Sequence, residues 1–289
     1  MGVRDTIAKA VMGIKAYHSS PHDFDKFDLK KIGTGEGAQV YGHGLYFAEN
    51  PAVSGQGGQY WQQFKNRFSG PEAEAISAFQ QQAFDREKAL AQLDRQLRGY
   101  IPGSQLHNEL SEAKRLLESG PVGPRTYEVN IKADPAHFLD WDKPLREQGI
   151  LDALSGSRRA SVQDVLNRIG WQKPTRDVYG TDIGPVTGQD FYKALSYDLT
   201  GTPNSAQASK AIKAGGVPGI KYLDEGSRMN ATSTFPQLRE APRTSNYVVF
   251  DPANIDILKK YGVAAAPTGA LAADQMGSTF DQRYYGEQP

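Results

Sequence analysis

The sequence predicts an α+β fold. Short runs of strand length, alternating or rich in β-branched and aromatic residues, are scattered along the chain. Longer stretches with apolar residues at helical spacing lie between them. No internal repeat is present, so the sum is a set of short strands with helical insertions.

Composition bounds the function. The chain has 289 residues, which suits one large domain or two small ones. Lys+Arg and Asp+Glu number 33 each, and the zero net charge argues against a protein that coats nucleic acid. The absence of cysteine excludes disulfides, thiol catalysis and Cys-ligated zinc, and leaves the redox compartment open. No apolar run approaches the roughly 18 residues that span a bilayer. The opening M-G-V-R-D-T-I-A-K-A-V-M-G-I-K-A carries charges and lacks the clean apolar core of a signal peptide; M-G-V-R-D-T fits the short and common N-myristoylation pattern.

In chain order, residues 3–15 read as an amphipathic helix with Ile7, Val11, Met12 and Ile14 on its apolar side. Residues 16–20 read as a short strand ending at Pro21. Phe24, Phe27, Leu29 and Ile32 alternate with charges in an irregular, half-buried connection. The glycine-rich G-T-G-E-G-A, residues 33–38, has the wrong spacing for a dinucleotide fingerprint. Leu45 to Ala48 is a buried strand preceded by Gly42 and Gly44, which suggests a tight turn or a backbone held close to something flat or phosphorylated. Asn50-Pro51 opens a turn or helix.

Glu72 to Arg98 reads as one helix, with Ile76, Phe79, Phe84, Leu90, Leu93 and Leu97 near helical spacing. A second runs from about Ser104 to Ser119, making a helical hairpin insertion over about 71–120. Tyr127 to Ile131 alternates as a strand should. Residues 143–170 look helical, as do Gln189 to Leu199 and Ala206 to Ala214, giving a second helical insertion over about 143–214. Gly216 to Leu223 is a turn and short strand, and residues 224–245 are polar and loop-like. Tyr247 to Phe250 is a buried strand, and Asn254 to Tyr261 a short strand or turn at the domain's edge. The implied organisation is an N-terminal helix within 1–15, a main domain over 16–262 and a loosely ordered tail over 263–289.

Three stretches carry the chemistry: His18-Ser19-Ser20, Gly42-His43-Gly44-Leu45-Tyr46-Phe47-Ala48 and Asn246-Tyr247-Val248-Val249-Phe250-Asp251. In this order they resemble the His-Tyr-Glu motifs of the ADP-ribosyltransferases of the diphtheria-toxin and poly(ADP-ribose)-polymerase type. With S-P-H-D-F-D-K-F-D, G-T-G-E-G-A and G-I-K-Y-L-D, the chain also looks like the transferase modules of phage and prophage polyvalent proteins. The resemblance covers roughly residues 16–262. It implies a split β-sheet core, and NAD as substrate with ADP-ribose passing to a protein acceptor. It further implies a phage-derived or toxin-like effector in a cytoplasm or on a virion, with chemistry that requires no metal; no membrane is expected, for want of a spanning apolar run.

By the same resemblance, His18 hydrogen-bonds the adenosine ribose. Ser19 grips the nicotinamide carboxamide through its backbone, where the family has Gly, and Ser20 follows it. Ser54, eight residues after Tyr46, supplies a hydroxyl to that carboxamide. Tyr46, with Gly44 and Phe47 beside it, walls the nicotinamide. Tyr60 is the second wall, with Trp61 as competitor. His43 lies at a variable position and is not assigned to catalysis. His18 and His22 are four apart, but Pro21 between them spoils a helical zinc pair.

Asn246 stands where the family has Glu. It can accept the hydrogen bond of the nicotinamide ribose 2′-OH but supplies no charge and takes no proton. Glu240 is the candidate substitute, with Glu225 and Glu49 behind it. Mono-transfer is therefore expected rather than chain elongation. The rival readings are an NAD glycohydrolase, a non-catalytic NAD or ADP-ribose-binding module, and a structural phage component. Asp140 to Pro144 and Tyr222 to Glu225 read as a turn and a strand end that could face the site.

Overall fold

A computed structural model describes residues 13–32, 39–150, 154, 160–169, 175–176, 182–198 and 202–261. The expected N-terminal helix, the glycine-rich loop 33–38 and the tail lie largely or wholly outside these. The fold is α+β, built on a mixed seven-stranded sheet.

The strands of the sheet are β1 (Ile14–Ser20), β2 (Leu45–Ala48), β3 (Arg125–Ile131) and β4 (Leu139–Asp140). A separate hairpin supplies β5 (Thr175–Arg176) and β6 (Asp182–Gly184). The sheet resumes with β7 (Gly219–Leu223), β8 (Ser245–Val249) and β9 (Ile255–Tyr261), and its order is β4-β7-β8-β2-β1-β3-β9. Only the β4–β7 pair is parallel.

Pairing is uneven along this order. β1 and β3 run in register over seven pairs from Ile14↔Ile131 to Ser20↔Arg125, and β2 and β8 over four from Leu45↔Val249 to Ala48↔Asn246. Between β1 and β2 the register records Tyr17↔Ala48 alone. The sheet is thus continuous in order but parts between its two central strands. Because side chains alternate and opposed residues share a face, Tyr46, Asn246 and Tyr222 lie on one face, and Phe47, Glu49 and Tyr247 on the other.

Each face carries its own core. Val248, Ile220 and Tyr222 pack with Leu139 and Trp141 beneath three helices, Ala160–Ile169, Gly188–Asp198 and Ser205–Ala214. The opposite face packs Phe47, Tyr247 and Val249 with Ile14, Ala16, Tyr127, Val129 and Ile131. A third cluster is mainly helical. After the short helices α1 (Pro51–Ser54) and α2 (Gln59–Lys65), it is built from α3 (Gly70–Gln81), α4 (Arg86–Leu97) and α5 (Gln105–Ser119) around Ile76, Leu93 and Leu117, with Trp61 of α2 and Val122 packed in.

Several expectations are corrected. Residues 14 and 15 belong to β1, not to a helix. The block 72–98 is two helices, broken where Ala83 (φ 51°) and Phe84 (φ 64°) turn left-handed and Asp85 caps α4 by accepting from the Lys88 N–H. The insertion is therefore a three-helix unit rather than a hairpin. In the expected helical stretch 143–170, residues 145–147 form a 3-10 turn, Leu154 is helical and helix α6 spans Ala160–Ile169, while 151–153, 155–159 and 170 lie outside the described residues. After α7 (Gly188–Asp198) and α8 (Ser205–Ala214), the polar stretch 224–245 holds two short helices, α9 (Glu225–Ala231), capped by Asp224, and α10 (Pro236–Arg239). Among the described residues no helix is long and apolar enough to cross a membrane.

Candidate functional site

Parting β1 from β2 frees backbone groups that a ladder would pair. Continuing the register beyond Tyr17↔Ala48 would set Ser19 opposite Tyr46. Side chains take over instead. The Tyr46 carbonyl accepts from His18 Nδ1 at 2.9 Å, and the Ser19 N–H donates to Ser54 Oγ at 3.1 Å. A cleft of about 650 Å³ opens along this seam, within the size of small-molecule sites (roughly 300–1,000 Å³). The cleft is lined by His18, Ser19 and Ser20 from β1, Gly44 to Ala48 at β2, Ser54 and Tyr60 from α1 and α2, Tyr222 from β7 and Asn246 from β8.

His18 lies among Phe24, Phe27, Phe47 and Tyr127, with ring centroids 5.2–6.3 Å away. Burial pushes its pKa below the ordinary 6.5, against the opposing pull of the Tyr46 carbonyl. A carbonyl can only accept, so the neutral ring carries its proton on Nδ1 and keeps Nε2 as an acceptor.

Ser19 is unstrained as a serine. It sits in regular strand opposite Thr126, and its hydroxyl donates to the Ser54 carbonyl at 3.0 Å. Ser54, buried at the end of α1, accepts from Ser19 and retains its own hydroxyl proton for donation. That helix starts as the sequence indicates, with Asn50 capping Ala52 and Pro51 in the first turn. Ser20 accepts from the His22 N–H at 3.1 Å and so shapes the turn leaving β1.

Tyr46 donates to the Gly42 carbonyl at 2.7 Å, and burial raises its pKa. Phe47 belongs to the core, its ring 5.0 Å from Phe27. The two wall candidates separate. Tyr60 is 38% exposed and lines the cleft, whereas Trp61 is 1% exposed, donates to the Pro124 carbonyl and packs against the helical cluster. The glycines need no ligand to explain them. A Cβ on Gly44 would strike Val248 and Val249 of β8, and Gly42 adopts φ +116° beside Ile220 and Tyr192. His43 is not part of the lining; its N–H donates to Tyr192 Oη and its ring bonds Gln39.

Asn246 faces Ala48 on one side and Tyr222 on the other, and its Oδ1 is buried without a partner. None of the three glutamates weighed as its substitute lines the cleft. Glu49 lies on the opposite face, accepting from the Ser245 N–H and the Tyr247 hydroxyl at 2.8 Å each. Glu240 is exposed at the end of α10, and Glu225 is exposed at the start of α9. The Asp140–Pro144 stretch is a turn: Asp140 accepts from the Asp142 N–H, and Asp142 accepts from Leu223 and Arg228.

The connection 21–32 forms one wall. Phe24 stacks on Tyr127 at 4.2 Å, and the Tyr127 hydroxyl accepts from the Phe24 N–H and donates to the His22 carbonyl. Lys260 and Arg125 hold Asp23, outweighing a burial penalty, so that its carboxyl lies below the usual range. Tyr222, which the sequence offers as a strand end or as facing the site, lies next to the end of β7 and lines the cleft. Its alternation in G-I-K-Y-L marks a strand, but only the register with β8 sets it beside Asn246.

No protein-family model, curated protein or solved structure matches the chain.

Proposed function

We propose that the chain is an NAD-dependent mono-ADP-ribosyltransferase acting on a protein acceptor. The observation that carries this reading is the meeting of His18, the Ser19–Ser54 pair, Tyr46 and Asn246 in one cleft. The resemblance points to these residues by motif and spacing, and they come from three strands and a helix. The parted sheet is the second support, since the resemblance implies a split core.

In this reading, NAD lies along the seam. The C–N bond to nicotinamide breaks, nicotinamide leaves with the electron pair, positive charge grows on the ribose, and a nucleophilic atom of the acceptor then bonds to its C1′ and gives up its proton to solvent. Tyr46 and Tyr60 bracket the departing ring. The Ser54 hydroxyl and the Ser19 backbone hold its carboxamide. His18 Nε2 accepts from a hydroxyl of the adenosine ribose. The unpartnered Oδ1 of Asn246 accepts from the 2′-OH of the nicotinamide ribose. Being neutral, it adds no charge opposite the cation, so turnover is slow and elongation is not expected. The effector setting and the choice of a protein as acceptor rest on the resemblance alone.

A second reading, an NAD or ADP-ribose-binding module, is favoured by one observation: Glu49, Glu225 and Glu240 all lie outside the cleft lining. Labelled NAD incubated with the chain and a bacterial lysate separates the readings, with His18→Ala and Tyr46→Ala run alongside. Label on a discrete protein, lost in both variants, supports the transferase. Nicotinamide release without label indicates a glycohydrolase, and binding without release indicates the module. No binding at all overturns the assignment.

A further inference from the structure

We infer that the 21–32 wall of the cleft is the subsite for the ligand's diphosphate, with Lys26 and Lys31 as its binding residues. The inference deepens the NAD reading of this cleft and rests on it.

A diphosphate is a dianion. Entering a cleft strips part of its water, so it needs cations in return. Among the described residues of the lining, every Asp, Glu, Lys and Arg belongs to this one wall: Asp23, Lys26, Asp28 and Lys31. The side formed by β2, β7, β8 and the helices α1 and α2 contributes aromatic, aliphatic, hydroxyl and amide groups and no charge. An anion in the cleft therefore has one place to be neutralised.

The carboxylates of the wall are already engaged. Asp23 pairs with Lys260 at 3.1 Å and with Arg125 at 3.4 Å. Asp25, outside the lining, takes the same Lys260 at 2.5 Å. Asp28 accepts from the Lys30 N–H at 2.9 Å and so caps the 3-10 turn Leu29–Lys31. Lys26 is exposed, and its ammonium pairs with no carboxylate. Lys31, whose N–H donates to the Asp28 carbonyl at 3.0 Å, brings a second ammonium to the lining from the end of that turn. On and against the wall, five cations (Lys26, Lys30, Lys31, Arg125 and Lys260) stand with three carboxylates (Asp23, Asp25 and Asp28). The excess matches the charge of a diphosphate, in a chain whose net charge is zero.

The wall is held before any ligand arrives. Phe24 stacks on Tyr127, and Phe27 is 5% exposed with its ring 5.2 Å from that of His18. The lysines thus sit on a segment fixed to the sheet. Because Phe27 adjoins His18, a diphosphate on this wall lies next to the adenosine ribose that His18 receives, as the covalent order of NAD requires.

Lys30 supplies the control, since it is exposed in the same 3-10 turn but is not part of the lining. NAD and ADP-ribose are titrated calorimetrically into wild type, Lys26→Gln, Lys31→Gln and Lys30→Gln, and free nicotinamide is followed by ligand-observed NMR. The expected result is a loss of about tenfold in affinity for both diphosphates in Lys26→Gln and in Lys31→Gln. Nicotinamide binding is expected to stay unchanged, and Lys30→Gln to bind as wild type does. Wild-type affinity in either lining variant, or an equal loss in Lys30→Gln, overturns the inference and leaves the NAD reading standing. Loss of nicotinamide binding in the lining variants also overturns it, because the lysines then act through the shape of the cleft. A wild-type chain that binds neither NAD nor ADP-ribose overturns both.

Discussion

Burial among four aromatic rings disfavours the charged form of His18, and the bond to the Tyr46 carbonyl opposes this only in part. The unfolded chain therefore binds more protons than the folded one just below pH 6.5. The stability that follows is complete above the ordinary histidine pKa and is lost as pH falls below it. NMR of the imidazole at pH 6.5 is expected to give a neutral ring protonated on Nδ1; a cationic ring there contradicts the assignment. Ser54→Ala removes the acceptor of the buried Ser19 N–H and is expected to cost about 1–3 kcal/mol in denaturant unfolding. Unchanged stability means that the seam does not depend on this bond. Asn246→Glu restores an anion where the cation develops and is expected to raise nicotinamide release by about 10²–10⁴. At this scale the sequence was informative where chemistry is local: the His-Ser, Gly-x-Gly-Leu-Tyr-Phe and Asn-Tyr stretches meet in the cleft. Glu240, six residues upstream of Asn246, lies outside the cleft because the chain there turns into α10 and leaves it exposed at that helix's end.

Among the elements, strands were read well and breaks were not. Alternation marks β3, and β-branched and aromatic composition marks β8; both are local signals. The break between α3 and α4 falls within helix-forming residues, and only Asp85, four residues before Ala89 in the next apolar stripe, hints at a cap. Ala83 is exposed and left-handed, so Ala83→Gly relieves strain without losing packing and is expected to stabilise by about 1 kcal/mol. A destabilised variant in thermal unfolding contradicts that. Residues 224–245 look like loop in sequence because helices of seven and four residues show no periodicity; the Asp224 cap of the first and Pro236 at the start of the second are their visible trace. The parting of β1 from β2 is the feature least legible in the sequence. It depends on a register between strands far apart in the chain, and on His18 and Ser54 replacing ladder bonds.

Across the whole molecule, two cores on opposite faces meet at a seam joined by Tyr17↔Ala48, with the three-helix unit keeping a core of its own. Binding along the seam is thus expected to slow hydrogen exchange at β1, β2 and the 21–32 wall while leaving α3–α5 unchanged. Equal slowing everywhere contradicts a seam-bound ligand. The most direct test is a crystal structure of the chain with NAD. The expected result places nicotinamide between Tyr46 and Tyr60, its carboxamide on Ser19 and Ser54, the adenosine ribose on His18 Nε2, and a ribose hydroxyl on Asn246 Oδ1. NAD bound elsewhere, or a cleft that takes no NAD at saturating concentration, contradicts the account.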